Sequence, residues 1–233
     1  MFIINSVGSI YRTLSRGTLR DIALACLAVW FIGLSYGAVA VASGFPLWFP
    51  AAQSVLVLAG ASEFLFIGVV AAGGNPLAAA AAGLLVNARH LPYGLALPHT
   101  ITGPGRARRL LGSHVMNDES VVFALAQEDL PGQRAAYWAC GLGVLLCWPA
   151  GAVLGALIGS VIRNTSAFGL DAMFPAVILA LIVPALRDRK DAVTVRAALA
   201  GVVIALAATP FLPAGLPVLL ALAGVLFTLR TAT

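Results

Sequence analysis

Apolar residues run through this chain in long blocks, and polar residues collect between the blocks rather than alternating with them. A helix that is apolar all round belongs in a core or in lipid, and about 20 such residues cross a bilayer. Blocks of about that length are predicted as spans at 22–43, 49–72, 76–99, 135–162, 169–186, 193–210 and 213–230, seven in all, with six or eight as the alternatives. Ala, Leu, Val and Gly runs satisfy their backbone in lipid as helices. The predicted fold class is therefore all-α: a polytopic membrane helical bundle, one membrane domain over 1–233, with broken helices and an internal repeat. Within it, 1–20 reads as a basic amphipathic lead-in, 21–103 as a first half, 104–134 as a polar connector and 135–233 as a second half.

Finer patterning adds detail to the spans. Ile3, Val7, Ile10 and Leu14 share one helical face of the lead-in, and Arg12, Arg16 and Arg20 share another, as in a helix lying on a membrane surface. The run Ile22–Ala42 is longer than a signal-peptide core, so it is expected to stay as span 1. Gly33-xxx-Gly37 and Gly151-xxx-Gly155-xxx-Gly159 are small-residue stripes that let helices approach closely. Pro149 is expected to bend its span, and Pro92, lacking an N–H, leaves the Ala88 carbonyl without its helical donor. Gly44-x4-Phe49-Pro50-Ala51 recurs as Gly169-x4-Phe174-Pro175-Ala176, each at the start of a span; weak repeats of this kind typify transporters.

Composition narrows the class. The 233 residues are 61% hydrophobic and 10% charged, with a mean hydropathy of +0.98. The net charge of +5 comes from basic clusters beside apolar runs, the positive-inside pattern, and not from a nucleic-acid face. Placing the loops at 106–109 and 187–190 in the cytoplasm puts the C-terminus there. With seven spans the N-terminus then lies outside, unless the second or third span is re-entrant. Cys26, Cys140 and Cys147 sit inside apolar runs and read as packing residues.

Charge at membrane depth is the main candidate chemistry. The segments 49–72 and 76–99 form a hydrophobic hairpin that carries Glu63 on one arm and Asn87, Arg89 and His90 on the other. A charge there is unfavourable by roughly 2.5–3.5 kcal/mol on insertion scales, so such residues face a bundle interior or a cavity. Counting from the turn, Glu63 and Arg89 differ in depth by about 6 Å, one helical turn, so the two can meet. In the functional reading Glu63 takes a proton or a substrate ammonium and Arg89 takes a carboxylate. In the structural reading the pair sets helix register. Asn117 can cap a helix whose first turn holds Asp118 and Glu119. Asp171 stands at the start of span 5. No histidine spacing suits a metal, and neither a phosphate loop nor a GxSxG elbow is present, so no cofactor, no metal and no enzymatic activity are predicted.

Taken in order, Ala59-Gly60-Ala61-Ser62-Glu63, Asn87-Ala88-Arg89-His90-Leu91-Pro92-Tyr93-Gly94, Asn117-Asp118-Glu119-Ser120 and Gly169-Leu170-Asp171 resemble the AzlC family, the large subunit of two-component branched-chain amino acid exporters. The resemblance covers about 30–186. It implies export of leucine, isoleucine, valine and similar neutral amino acids from a multi-pass position in the bacterial cytoplasmic (inner) membrane. It also implies a small AzlD-type membrane subunit as partner. The residues put forward for substrate binding or coupling are Ser62, Glu63, Asn87, Arg89, His90 and Tyr93, with Asp118, Glu119 and Asp171 behind them. Glu63 departs from the glutamine usual in the family, which exchanges a neutral amide for an ionisable group. The reading is a secondary transporter driven by the proton gradient. A channel or carrier for another small solute and a non-transporting membrane scaffold are the alternatives.

Overall fold

The computed structural model describes residues 13–101, 105–161, 192–212 and 216–225. The first part of the lead-in, span 5 with Asp171, the second copy of the G-x4-F-P-A echo and the basic loop at 187–190 lie outside these residues. The described residues are helical, without a strand: α1 Arg16–Ala42, α2 Trp48–Leu56, α3 Gly60–Ala71, α4 Pro76–Asn87, α5 His90–Ala96, α6 Pro98–Ile101, α7 Arg106–His114, α8 Asp118–Leu125, α9 Leu130–Val161, α10 Ala192–Ala208 and α11 Leu216–Ala221, followed by a 3-10 turn Leu222–Val225. Two compact units emerge, one from 1–60 with 87–168 and the other from 61–86 with 169–233.

The first unit is built on α1 and α9, the two described helices long and apolar enough to cross a membrane. The predicted small-residue stripes form their seam. A Cβ on Gly33 would meet the Trp148 carbonyl at 2.7 Å, and one on Gly159 the Ala38 carbonyl at 2.8 Å. Gly37 faces the Ala152 carbonyl and Gly155 the Leu34 carbonyl more closely still, so backbone lies on backbone where a side chain would stand. Tyr36 stacks on Trp148 with ring centroids 5.4 Å apart, and its hydroxyl donates to Gln53 Oε1 of α2 at 2.7 Å. The opposite faces of both helices expose Leu24, Leu27, Phe31, Leu146, Leu157 and Val161, a lipid-facing surface that water would disfavour. Pro149 lies inside α9 without ending it.

A second cluster fills the space beside α9: Leu97, Ile101, Val115, Met116, Val121, Ala124 and Tyr137. The Tyr137 hydroxyl donates to the Gly112 carbonyl at 2.7 Å, so its polar tip is satisfied within the cluster. Cys26 and Cys140 are buried, and all three cysteines are free thiols.

In the second unit, the predicted turn between the hairpin arms is present. Gly73 takes φ +82, open to a residue without Cβ. Asn75 Oδ1 accepts the Leu77 amide at 2.8 Å and caps α4 ahead of Pro76. A Cβ on Gly83 of α4 would rest 3.4 Å from the Ser62 Cβ of α3, which marks where the arms touch. Further along, Gly201 of α10 faces the Ala221 carbonyl of α11.

Three expectations need correction. The segment 49–72 is not one continuous helix: it breaks at 57–59, where Leu58 takes φ +51 and cannot extend the α-helical ladder. Gly60 then restarts the helix with the Trp148 indole against it, a Cβ there meeting the ring at 2.9 Å. The Ala88 carbonyl is not left free, because the Leu91 amide donates to it at 3.0 Å and replaces the bond that Pro92 cannot make. Arg16 and Arg20 do not belong to a separate surface helix. Ser15 caps α1 by accepting the Thr18 amide, so these arginines open the first long helix itself.

Candidate functional site

Helix breaks concentrate the polar chemistry of the first unit. At the second break α4 ends at Asn87 and α5 begins at His90, with Ala88 and Arg89 between them. The Arg89 guanidinium reaches Asp118, the first residue of α8. Its Nε donates to Oδ1 at 3.0 Å and its Nη2 to Oδ2 at 2.9 Å, a two-pronged arginine–carboxylate geometry. Tyr93, one turn into α5, donates its hydroxyl to the same Oδ1 at 2.7 Å. His90 lies edge-on to the Tyr93 ring at 5.8 Å. Its Nδ1 donates to the Asn87 carbonyl at 2.8 Å, which leaves Nε2 as the outward ring nitrogen.

Asp118 is held from behind by local sequence. Asn117 Oδ1 accepts the Ser120 amide at 2.8 Å, and Ser120 Oγ accepts the Asn117 amide at 3.0 Å. This reciprocal cap fixes the start of α8. The cap role foreseen for Asn117 is therefore present. Because Asn117 provides the cap, the Asp118 side chain is available to take Arg89 and Tyr93 instead. Glu119 follows in the same first turn, where an acid suits the helix dipole.

One histidine ties this site to the first break. His114 Nε2 donates to the Val55 carbonyl at 2.8 Å, so the end of α2, just before the turn at 57–59, is anchored to the residue four places before Asp118. The segment 114–118 therefore holds both broken helices. The pair of Arg89 and Asp118 is also open: the side chains are 27% and 44% exposed. At that exposure an ion pair adds about 0–1 kcal/mol to stability, too little to explain it as a structural rivet.

The sequence-predicted residues divide between the two units. Asn87, Arg89, His90 and Tyr93 come together in the first, joined by Asp118, which the sequence ranked behind them. Asp118 engages Arg89 within this unit. Ser62 and Glu63, both buried, open α3 in the second unit. Sequence reasoning missed the break at Leu58 and the anchoring by His114, neither of which leaves a hydropathy signal. Among the described residues no group of three His, Cys, Asp or Glu is arranged for a metal.

Comparison with known proteins gives the family. The family model described as "AzlC protein" matches residues 25–162. The chain belongs to the AzlC family. Arg89, Tyr93, Asp118 and both helix breaks fall within the AzlC match. Among curated relatives, the "Branched-chain amino acid transport protein AzlC" of Bacillus subtilis (strain 168) is 30% identical over 86% of this chain and 79% of its own length. An "Uncharacterized membrane protein" of Haemophilus influenzae is 26% identical over 57% of this chain and 55% of its own. No solved structure matches.

Proposed function

We propose that this chain is a secondary transporter that exports branched-chain or similar small neutral amino acids across the bacterial cytoplasmic membrane. It works as the large subunit beside a small AzlD-type membrane protein and is driven by the proton gradient. The observation that carries the reading is the half-exposed pair of Arg89 and Asp118 at a helix break.

A zwitterionic amino acid presents one carboxylate and one ammonium on the same carbon. Arg89 and Asp118 present the complementary charges in direct contact. The pair of Arg89 and Asp118 is internally neutral, which favours a carrier that must reorient without cargo. The substrate opens the pair: its carboxylate takes over the Arg89 fork and its ammonium takes Asp118, so each charge keeps a partner. Tyr93 then holds the freed Asp118 oxygen in place. Leu97 and Met116, buried beside Tyr93, supply apolar surface for an aliphatic side chain. Discontinuous helices that bring backbone groups and charges to mid-membrane are a recurring basis for such sites. Glu63, fully buried at the start of α3, is assigned the coupling proton, with Ser62 beside it.

The test is efflux of radiolabelled leucine or valine from loaded cells that also express the small partner. Arg89→Ala removes two charge-assisted hydrogen bonds, each worth about 1.5–3 kcal/mol, so export should fall at least tenfold. Export at the wild-type rate from a variant present at wild-type level removes Arg89 from the mechanism.

A further inference from the structure

Helix α7 carries a surface that the transport reading does not use. It packs through Gly112, where a Cβ would meet Ile101 at 3.2 Å and the Trp138 ring at 3.4 Å. Arg108, one turn earlier on that side, lies 5.8 Å over the same ring. The other side exposes Arg106, Arg109 and Leu110, spaced i, i+3 and i+4, with Leu110 72% exposed. The helix contains no acid.

The level of this surface follows from α9. Its 32 residues span about 48 Å, against roughly 30 Å of hydrocarbon, so its ends stand beyond the core. The starting end carries Gln133 and Arg134, and Arg134 is turned back to the His99 carbonyl at 2.8 Å. Asp129 is occupied with the Gly132 amide at 2.9 Å. Trp138 comes one turn after Arg134, the level at which tryptophans mark the headgroup region. A helix that stacks an arginine on that ring lies in the same layer. There an exposed leucine enters the acyl boundary while flanking arginines meet phosphates.

We infer that the Arg106/Arg109/Leu110 face of α7 binds the headgroups of anionic phospholipid. The cations favour a negative headgroup over a zwitterionic one, and Leu110 favours a lipid over a free anion.

The experiment follows the melting temperature of the purified full-length chain in neutral detergent. Phosphatidylglycerol, phosphatidylcholine or inorganic phosphate is added at equal concentration. Phosphatidylglycerol should raise the wild-type midpoint by about 3 °C or more above phosphatidylcholine. R106Q/R109Q should lose at least half of that increment. R16Q/R20Q, which removes the same charge from two exposed positions on α1, should keep it. A full increment in R106Q/R109Q, or an equal loss in R16Q/R20Q, overturns the assignment. So does an equal shift from inorganic phosphate alone. The wild type provides a reading that does not depend on any variant folding. Raising salt from about 0.1 to about 1 M shortens the screening length from about 10 to about 3 Å and should erase most of the increment. An increment indifferent to salt overturns the proposal.

Discussion

The seam between α1 and α9 and the junction of α4, α5 and α8 are opposite solutions within one unit. The seam has almost no side chains: glycines bring backbone against backbone along several turns, and nothing in it carries charge. The junction depends on side chains. A guanidinium, a phenol and a carboxylate meet between short helix pieces, part exposed. Close-packed surfaces admit few arrangements, whereas a site held by a few exchangeable polar bonds can be opened by a ligand that offers equivalent ones. Under the proposed function the contrast predicts rigidity in the seam and motion at the junction.

The largest effect should come from filling the seam. Gly155→Leu drives a side chain into the Leu34 carbonyl, where neither backbone can yield. Overpacking of this kind is destabilising by about 3 kcal/mol or more, and folded protein should largely disappear in size-exclusion profiles. A monodisperse Gly155→Leu protein with an unchanged melting point would break the comparison, because the seam would then be as adaptable as the site.

Tyr93→Phe is the intermediate case. It deletes one hydrogen bond to Asp118, worth about 1 kcal/mol, so leucine efflux should drop about fivefold with the melting point nearly unmoved. A melting point that falls while efflux holds would make Tyr93 part of the scaffold. The smallest effect is expected from Asn117→Ala, which removes the cap of α8. That loss is about 1 kcal/mol, or about 2–4 °C in melting temperature, with transport reduced less than in Tyr93→Phe. The reverse order would place the cap inside the moving part.

The two regions also differed in how far the sequence revealed them. Both seam stripes were legible, because small residues every fourth position specify a helix face directly. The turn at Gly73–Asn75, the break before Pro92 and the cap at Asn117 were legible for the same reason: each rests on local backbone chemistry. The contact of Arg89 with Asp118 was not. Hydropathy and depth drew attention to Glu63 in the neighbouring run, and Asp118 lies 29 residues on from Arg89, in a stretch read as connector. Nothing periodic links positions so far apart. The break at Leu58 was hidden because leucine gives no breaker signal. It arises where Gly60 meets the Trp148 ring, a tertiary contact. The family likeness singled out Arg89, Tyr93 and Asp118 from sequence, and the structure shows that these three touch.

The central claim is that Arg89 and Asp118 act as one unit that a zwitterionic substrate opens. A double-mutant cycle on leucine efflux, with Arg89→Gln, Asp118→Asn and both together, tests it most directly. The account predicts that each single variant loses about tenfold or more, since each leaves one charge of the substrate without its charge-assisted hydrogen bonds, and that the double variant is no worse than either single. Losses that multiply in the double variant, or single variants that export at the wild-type rate, would contradict it.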